Sequence, residues 1–127
     1  MDIEELIRVI MGYAGNIRRK LGPGYLESVY KNAMIIELKK HHLSYEVEKP
    51  IHVYYDGFLV GEFKADIVVE DRLILELKAV NSLHIAHEVQ LVNYLTATGV
   101  DNGLLINFGS EELQIKRKYR IFRQRFS

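Results

Sequence analysis

The chain has 127 residues, 17 Lys and Arg against 17 Asp and Glu, no Cys and no Trp, which is typical of one globular domain spanning residues 1–127. Without Cys, disulfide scaffolds, thiolate zinc sites, iron–sulfur clusters and cysteine nucleophiles are excluded, and a reducing, cytoplasmic location is expected. No apolar run approaches the ~18 residues of a membrane span, the acidic start differs from a signal peptide, and zero net charge argues against a phosphate-binding protein.

Two amphipathic helices are predicted at the beginning of the chain. Residues 3–21 place apolar side chains three or four apart, with acids in the first turn and bases in the last, which suits the helix dipole. The Gly-Pro-Gly of residues 22–24 ends this helix, and a second helix is predicted from about Tyr25 to His42. The apolar stripe of the first helix could pack on its own domain or on a second copy of the chain, so a homodimer is one expectation.

From residue 45 to residue 80 the hydrophobic pattern changes to a period of two, which predicts three antiparallel strands. Asp56-Gly57 indicates the turn of the first hairpin, and Pro50 favours an edge position for the first strand. One face of the second and third strands is expected to be wholly apolar. That face comprises Phe63, Ala65, Ile67, Val69, Leu73, Leu75, Leu77 and Ala79.

A third helix is predicted from about Leu83 to Thr98, capped by Asn81 and Ser82 and ended by Gly99. The apolar run GLLINF, residues 103–108, then predicts a strand that is covered on both faces. The element order is therefore helix, helix, three strands, helix and two strands, an α/β (α+β) arrangement.

A basic strand is predicted over residues 113–126, which contain no acid. Two interpretations remain open for this segment. It could form a local phosphate-binding patch for nucleic acid, or it could be a solvated edge strand guarded by its lysines. The nucleic-acid-binding candidates are Lys116, Arg117, Lys118 and Arg120.

Charged side chains are expected to face each other on the second predicted hairpin. If the three residues 70–72 close this hairpin, Asp66 lies opposite Glu76 and Lys64 lies opposite Lys78. Two facing carboxylates repel each other, and a divalent cation bound by their oxygens would offset that repulsion. The alternative is a surface ladder of ion pairs between the two lysines and the two acids.

Polar residues of the second and third helices could complete such a site. Glu27 stands in the first turn of the second helix with Tyr30 three residues further on, and Gln90 and Tyr94 are four residues apart on the third helix. Ordinary helix-start electrostatics explains Glu27 equally well. An amide and a phenol on one helix edge more often indicate a surface or partly buried position than catalysis.

Taken together, these segments resemble the GxxExxY family, a branch of the PD-(D/E)xK nuclease superfamily that is similar to the RecB-like nucleases. The matching stretch runs from about the first helix through residue 109, with its core at residues 24–109. Its segments are LGPGYLESVY, ELKKHHLSYEVEKPIHVYYDG, ADIVVEDRLILELKAV, HEVQLVNYL and TGVDNGLLINFG. The resemblance implies a nuclease-like core, a central mixed β-sheet flanked by helices in the order ααβββαββ.

The resemblance also implies a metal site for Mg²⁺ or Mn²⁺. Asp66 and Glu76 would bind the ion, helped by Glu27 and the backbone carbonyl of Leu77. Lys78 would orient or activate the attacking water. Such a site would make the chain a deoxyribonuclease that hydrolyses phosphodiester bonds.

Gln90 and Tyr94 match the glutamine-and-tyrosine helix motif that positions substrate or supports the lysine in RecB-like members, and Tyr30 is a third positioning candidate. DNA, or RNA, is the partner that the resemblance implies. The rival hypothesis is a noncatalytic binding or assembly module that keeps the nuclease fold within a larger protein complex.

Overall fold

Helices and strands follow one another in the predicted order ααβββαββ. The computed structural model describes residues 1–121, so the predicted strand residues 122–126 lie outside the described residues. The elements are α1 (Ile3–Leu21), α2 (Glu27–Lys40), β1 (Tyr45–Tyr55), β2 (Phe58–Val69), β3 (Leu73–Lys78), α3 (Ile85–Thr98), β4 (Asn102–Asn107) and β5 (Gln114–Tyr119). Within residues 1–121, none of the helices combines the length and the apolar character that crossing a membrane requires.

The strands form one mixed sheet in the order β1-β2-β3-β4-β5. Neighbouring strands are antiparallel except β3 and β4, which run parallel and are joined through α3, as a parallel pair requires a crossover. Strand β1 lies at an edge, which confirms the prediction from Pro50. Residues 103–107 of β4 are all buried, which confirms the strand covered on both faces.

Local turn signals were reliable in this chain. Asp56 and Gly57 have φ angles of 50° and 81°, the two positive values that a two-residue hairpin turn of the primed kind requires. Helix α1 begins after Asp2, whose carboxylate accepts from the Glu5 N–H at 2.8 Å, and it ends at Gly22 with φ 71°. These residues set the bounds of β1, β2 and α1.

Helices cover both faces of the sheet. The first core cluster joins α1 and α2 to one face, and the second joins α3 to the other. The apolar stripe of α1 is buried in the first cluster, so the stripe packs on its own domain and is not a surface for a second copy. Its buried residues are Leu6, Ile7, Ile10, Ala14 and Ile17.

The prediction of one wholly apolar face on β2 and β3 is wrong in the first half of β2. Ile67 belongs to the α1–α2 cluster, whereas Ala65 belongs to the α3 cluster, and Phe63 contacts an aromatic ring of α3. The alternation breaks at Asp66, which is absent from the Cα pairs of both neighbouring strands. Glu48, which would face it on β1, has a φ of 53°. This break frees Asp66 from the regular ladder.

Candidate active site

At the break in β2, Asp66 and Glu76 reach each other across the hairpin. The Asp66 N–H donates to Glu76 Oε2 at 3.0 Å, and the Leu77 N–H donates to Asp66 Oδ2 at 2.9 Å. The ladder ends one pair earlier, at Ile67 opposite Leu75, so the predicted register is correct. Each carboxylate therefore replaces a backbone carbonyl that a regular ladder would have supplied.

Glu76 is a buried acid, with a relative exposure of 5%. Burial, followed by the negative charge of Asp66, raises the pKa of Glu76 to about 8, while the positive charge of Lys78 acts in the opposite direction. The Glu76 carboxyl therefore keeps its proton to a higher pH than an ordinary glutamate. Asp66 and Glu76 are thus two adjacent acids, one of them buried, and a bound cation would offset the repulsion between their carboxylates.

Glu27 and Lys78 lie within electrostatic reach of this pair. Partial desolvation and then the charge of Asp66 raise the pKa of Glu27, and the charges of Lys78 and Lys31 lower it. Glu27 is the first residue of α2, where the helix dipole also favours a carboxylate. Within residues 1–121, no three His, Asp or Glu side chains are grouped closely enough to hold a metal ion as they stand.

The donor atoms of the site suit a hard divalent cation. Carboxylate oxygens of Asp66 and Glu76 are the ligands that Mg²⁺ and Mn²⁺ prefer. An ion between them would offset the repulsion that raises the pKa of Glu76. The fit therefore rests on two adjacent carboxylates, with Glu27 within electrostatic reach of Asp66.

Helix α3 places Tyr94 against the carboxylates. Tyr94 is buried, at 7% exposure, and burial followed by the charges of Glu76 and Asp66 raises the pKa of its hydroxyl. Gln90, one turn earlier, is half-buried and lines the same groove as Tyr94. The structure therefore brings both residues of the predicted glutamine-and-tyrosine pair to one groove, and Tyr94 lies within electrostatic reach of the carboxylates.

Tyr30 does not fit the substrate-positioning role predicted for it. Its side chain is fully buried, and its hydroxyl donates to the Gly22 carbonyl at 2.7 Å and accepts from the Tyr25 N–H at 3.2 Å. Its ring stacks on Phe108 with centroids 4.7 Å apart. Tyr30 is a core residue that fixes the glycine-rich turn before α2, and thereby the position of Glu27.

Replacing Tyr30 by phenylalanine is expected to lower the free energy of unfolding by about 1–2 kcal/mol, because the Gly22 carbonyl and the Tyr25 N–H lose their partner in two part-buried hydrogen bonds. Urea denaturation followed by circular dichroism measures this change. Tyr25→Phe is the matched control, since Tyr25 is 53% exposed, and a change below about 0.5 kcal/mol is expected for it. Unchanged stability of Tyr30→Phe together with lost cleavage would return Tyr30 to a substrate-positioning role.

The segment after Lys78 is fixed by the end of β4. The Phe108 N–H donates to the Lys78 carbonyl at 2.9 Å. Asn107 is fully buried; its Oδ1 accepts from the N–H groups of Val80 and Gly109, and its Nδ2 donates to the Val80 carbonyl at 2.9 Å. Sequence reasoning missed Asn107, although a polar residue inside the apolar run GLLINF was the signal.

A side chain of α1 completes this support. Arg18 Nε donates to the Phe108 carbonyl at 3.1 Å, and its Nη2 donates to the carbonyls of Ser110 at 2.7 Å and Glu111 at 3.0 Å. One guanidinium therefore holds the loop after β4, which in turn holds Lys78. In the sequence, Arg18 was indistinguishable from the other basic residues at the end of α1.

Helix α3 begins differently from the prediction. Its N-cap is His84 rather than Asn81 or Ser82, and the His84 N–H donates to His87 Nδ1 at 3.2 Å. Burial, followed by the positive charges of Lys78 and His84, lowers the pKa of His87. His87 therefore lies within electrostatic reach of Lys78 and is a neighbour that the sequence did not assign to the site.

The four basic candidates of the last strand are already paired within the domain. Glu88 of α3 binds Lys116 at 3.3 Å and Lys118 at 2.6 Å. Arg117 pairs with Glu4 at 2.8 Å, and Arg120 pairs with Asp101 at 2.8 Å. Because β5 is also an edge strand, these residues match the edge-strand interpretation better than a preformed phosphate patch.

Comparisons with known proteins agree with this architecture. A family model described as the PD-(D/E)XK nuclease superfamily matches residues 4–118. A solved structure titled "Crystal structure of SSO0001" is similar with a TM-score of 0.61 and 17% identity, over 76% of this chain and 50% of that one. The chain thus spans about half the length of that protein, and the likeness concerns the fold alone. No curated protein matches the chain.

Proposed function

Because the chain belongs to the PD-(D/E)XK nuclease superfamily, we propose that it is a metal-dependent nuclease that hydrolyses phosphodiester bonds of DNA. The observation that carries this proposal is the adjacency of Asp66 and Glu76, each of which accepts a hydrogen bond from the other's strand. Lys78 lies two residues beyond Glu76, on the same strand. RNA contains the same linkage and is the second substrate to be tested.

The metal ligands in this proposal are Asp66, Glu76 and the backbone carbonyl of Leu77, with Glu27 on the neighbouring helix. When bound, the divalent ion supplies charge neutralisation at the phosphate and a water of lowered pKa. Glu76 gives up its proton when the ion binds, since only the carboxylate is a good ligand.

The remaining residues orient the reactants around these ligands. Lys78 presents positive charge to the attacking water or to the scissile phosphate, where negative charge develops during hydrolysis. Gln90 and Tyr94 position the substrate from α3. Both roles are supported by the closeness of Tyr94 and Lys78 to the charges of Asp66 and Glu76.

The proposal is tested by incubating the purified chain with single-stranded, duplex and branched DNA, and with RNA, in Mg²⁺, in Mn²⁺ or in EDTA. We expect hydrolysis of DNA with either metal and none in EDTA. If no DNA is cleaved under any condition, the chain is instead a noncatalytic module of the nuclease fold. The observation favouring that second candidate is the absence of a three-ligand cluster within residues 1–121.

Glu76 should also make the metal-free protein less stable as the pH rises. Its pKa is about 8 in the folded chain against an ordinary value of 4.5, so the folded state holds more protons between these values. The contribution of Glu76 to stability is therefore full below about pH 4.5 and is lost, by a few kcal/mol, as the pH rises to about 8. Urea denaturation in EDTA at several pH values measures this loss.

In the wild-type protein, Mg²⁺ should raise the melting temperature more at pH 8 than at pH 6. Glu76→Gln is expected to abolish this rise and to remove the pH dependence that Glu76 causes. Glu62→Gln, at an exposed position of β2, is the matched control and should keep both effects. An unchanged pH dependence in Glu76→Gln would show that Glu76 does not carry the raised pKa.

A further inference from the structure

A groove of about 1050 Å³ lies between α3 and the β1–β2 hairpin. We call it the α3 groove. Two aromatic residues of the hairpin, Tyr54 and Phe63, line it together with Tyr94 of α3. The lining residues that matter here are His52, Tyr54, Phe63, Gln90, Asn93 and Tyr94.

The α3 groove adjoins the carboxylate site through one residue. Tyr94 is shared, because it lines the groove and lies within electrostatic reach of Asp66 and Glu76. Phe63 precedes Asp66 by three residues on β2, and its ring centroid is 5.7 Å from that of Tyr94. A chain molecule lying in the groove therefore ends beside the proposed metal ligands.

The rings of the groove are open to a ligand. Tyr54 is 61% exposed and Phe63 is 44% exposed, although both belong to residue types that a lone domain normally covers. His52 lies beside Tyr54 with centroids 6.4 Å apart. Exposed flat rings offer stacking faces to flat ligands, and nucleic acid bases are such ligands.

The charge of the groove also points to bases rather than phosphates. Its lining contains no Lys or Arg, and His52 is paired with Glu62 at 3.4 Å. Within residues 1–121, the side-chain amides of Gln90 and Asn93 make no hydrogen bond, so they are available to base edges. A duplex hides its base faces by stacking, whereas an unpaired strand presents them.

We infer that the α3 groove binds the unpaired bases of the strand being cut, so that the substrate is single-stranded DNA or a single-stranded region of a larger DNA. This inference rests on the proposed nuclease function, and it adds which form of DNA the same site would accept. Tyr54 and Phe63 stack on the bases, Gln90 and Asn93 contact their edges, and the backbone passes on to Asp66 and Glu76.

The test uses a 12-nucleotide DNA that contains 2-aminopurine, whose fluorescence falls when it stacks, and the full chain in EDTA so that no cleavage occurs. We expect quenching with the single strand and none with the same sequence as a duplex. Tyr54→Ala should weaken single-strand binding about ten-fold. Tyr55→Ala is the matched control, because Tyr55 is 69% exposed on the same hairpin and is not among the groove-lining residues.

Equal binding of duplex and single strand, or wild-type binding by Tyr54→Ala, would overturn the inference. Because Tyr54 is an exposed residue, the variant is expected to fold, and circular dichroism checks this. The two proposals fail separately. If the bases stack on the protein but no DNA is cleaved in Mg²⁺, the proposed nuclease function is contradicted and the groove remains a binding site. If single-stranded and duplex DNA are cleaved at equal rates and Tyr54→Ala does not change these rates, base binding in the α3 groove is contradicted and the nuclease function remains.

Discussion

Replacing Lys78 by alanine is expected to lower the rate of DNA cleavage by about 10²–10³-fold, the usual cost of removing one preorganised positive group from a transition state. Lys78 is half-buried at the end of β3, and its carbonyl is fixed by the Phe108 N–H. Its ammonium therefore acts from a defined backbone position. The charge of Lys78 also lowers the pKa of Glu76 and of Glu27, so the variant should need a higher pH for its residual activity.

The measurement is single-turnover cleavage of an end-labelled oligonucleotide in Mg²⁺ over a pH range. Lys39→Ala, which removes the same charge from an exposed position of α2, is the control and should leave the rate unchanged. The Mg²⁺-induced rise in melting temperature should persist in Lys78→Ala, since the carboxylates remain. A Lys78→Ala protein that cleaves at the wild-type rate would remove Lys78 from the reaction.

Replacing Gly109 by alanine is expected to destabilise the fold by about 2–4 kcal/mol. A Cβ at this position would lie 2.6 Å from the Ala79 carbonyl carbon, 2.6 Å from the Val80 nitrogen and 2.7 Å from the Val80 oxygen. All three are backbone atoms, and Asn107 holds the Val80 backbone in place through its side-chain amide. The clash therefore falls on the segment that directly follows Lys78.

Urea denaturation compares Gly109→Ala with Gly12→Ala in α1. A Cβ at Gly12 meets no heavy atom within 4 Å, so that substitution should stabilise the helix by up to about 1 kcal/mol. The same chemical change is thus expected to have opposite signs at the two positions. A Gly109→Ala protein of wild-type stability would mean that the loop after β4 can move away from β3 without loss.

Elements governed by local signals could be predicted from the sequence. Helix α1 has the predicted bounds because Asp2 caps it and Gly22 ends it. The first hairpin turns where predicted because Asp56 and Gly57 tolerate positive φ angles. The adjacency of Asp66 and Glu76 was also accessible, since a three-residue connection fixes the register of the strands that flank it.

Features that depend on distant residues could not be predicted. The break in β2 involves Glu48, a residue of another strand with a positive φ angle. In the sequence, the Tyr30 hydroxyl was a candidate for binding substrate. In the structure it donates to the Gly22 carbonyl, and the Tyr30 ring stacks on Phe108.

The basic strand shows the same limitation for charge. Arg117 is paired with Glu4, although 112 residues lie between them in the chain. Lys118 is paired with Glu88 of α3. The number of basic residues in one segment therefore predicts the charge of its surface only when the acids that pair with them in the fold are known. Within residues 1–121, the positive charges of β5 are therefore already paired with acids of the domain and do not form an unpaired phosphate-binding patch.

The buried carboxyl pair also bears on how this domain can be engineered. Substitutions that neutralise Glu76 should make the metal-free protein more stable at alkaline pH, because they remove the cost of ionising a buried acid beside Asp66. The same substitutions remove a proposed metal ligand. A screen for heat resistance run without divalent ions would therefore enrich inactive variants at position 76, whereas a screen run in Mg²⁺ would retain the acid. The choice of buffer decides which property such a selection improves.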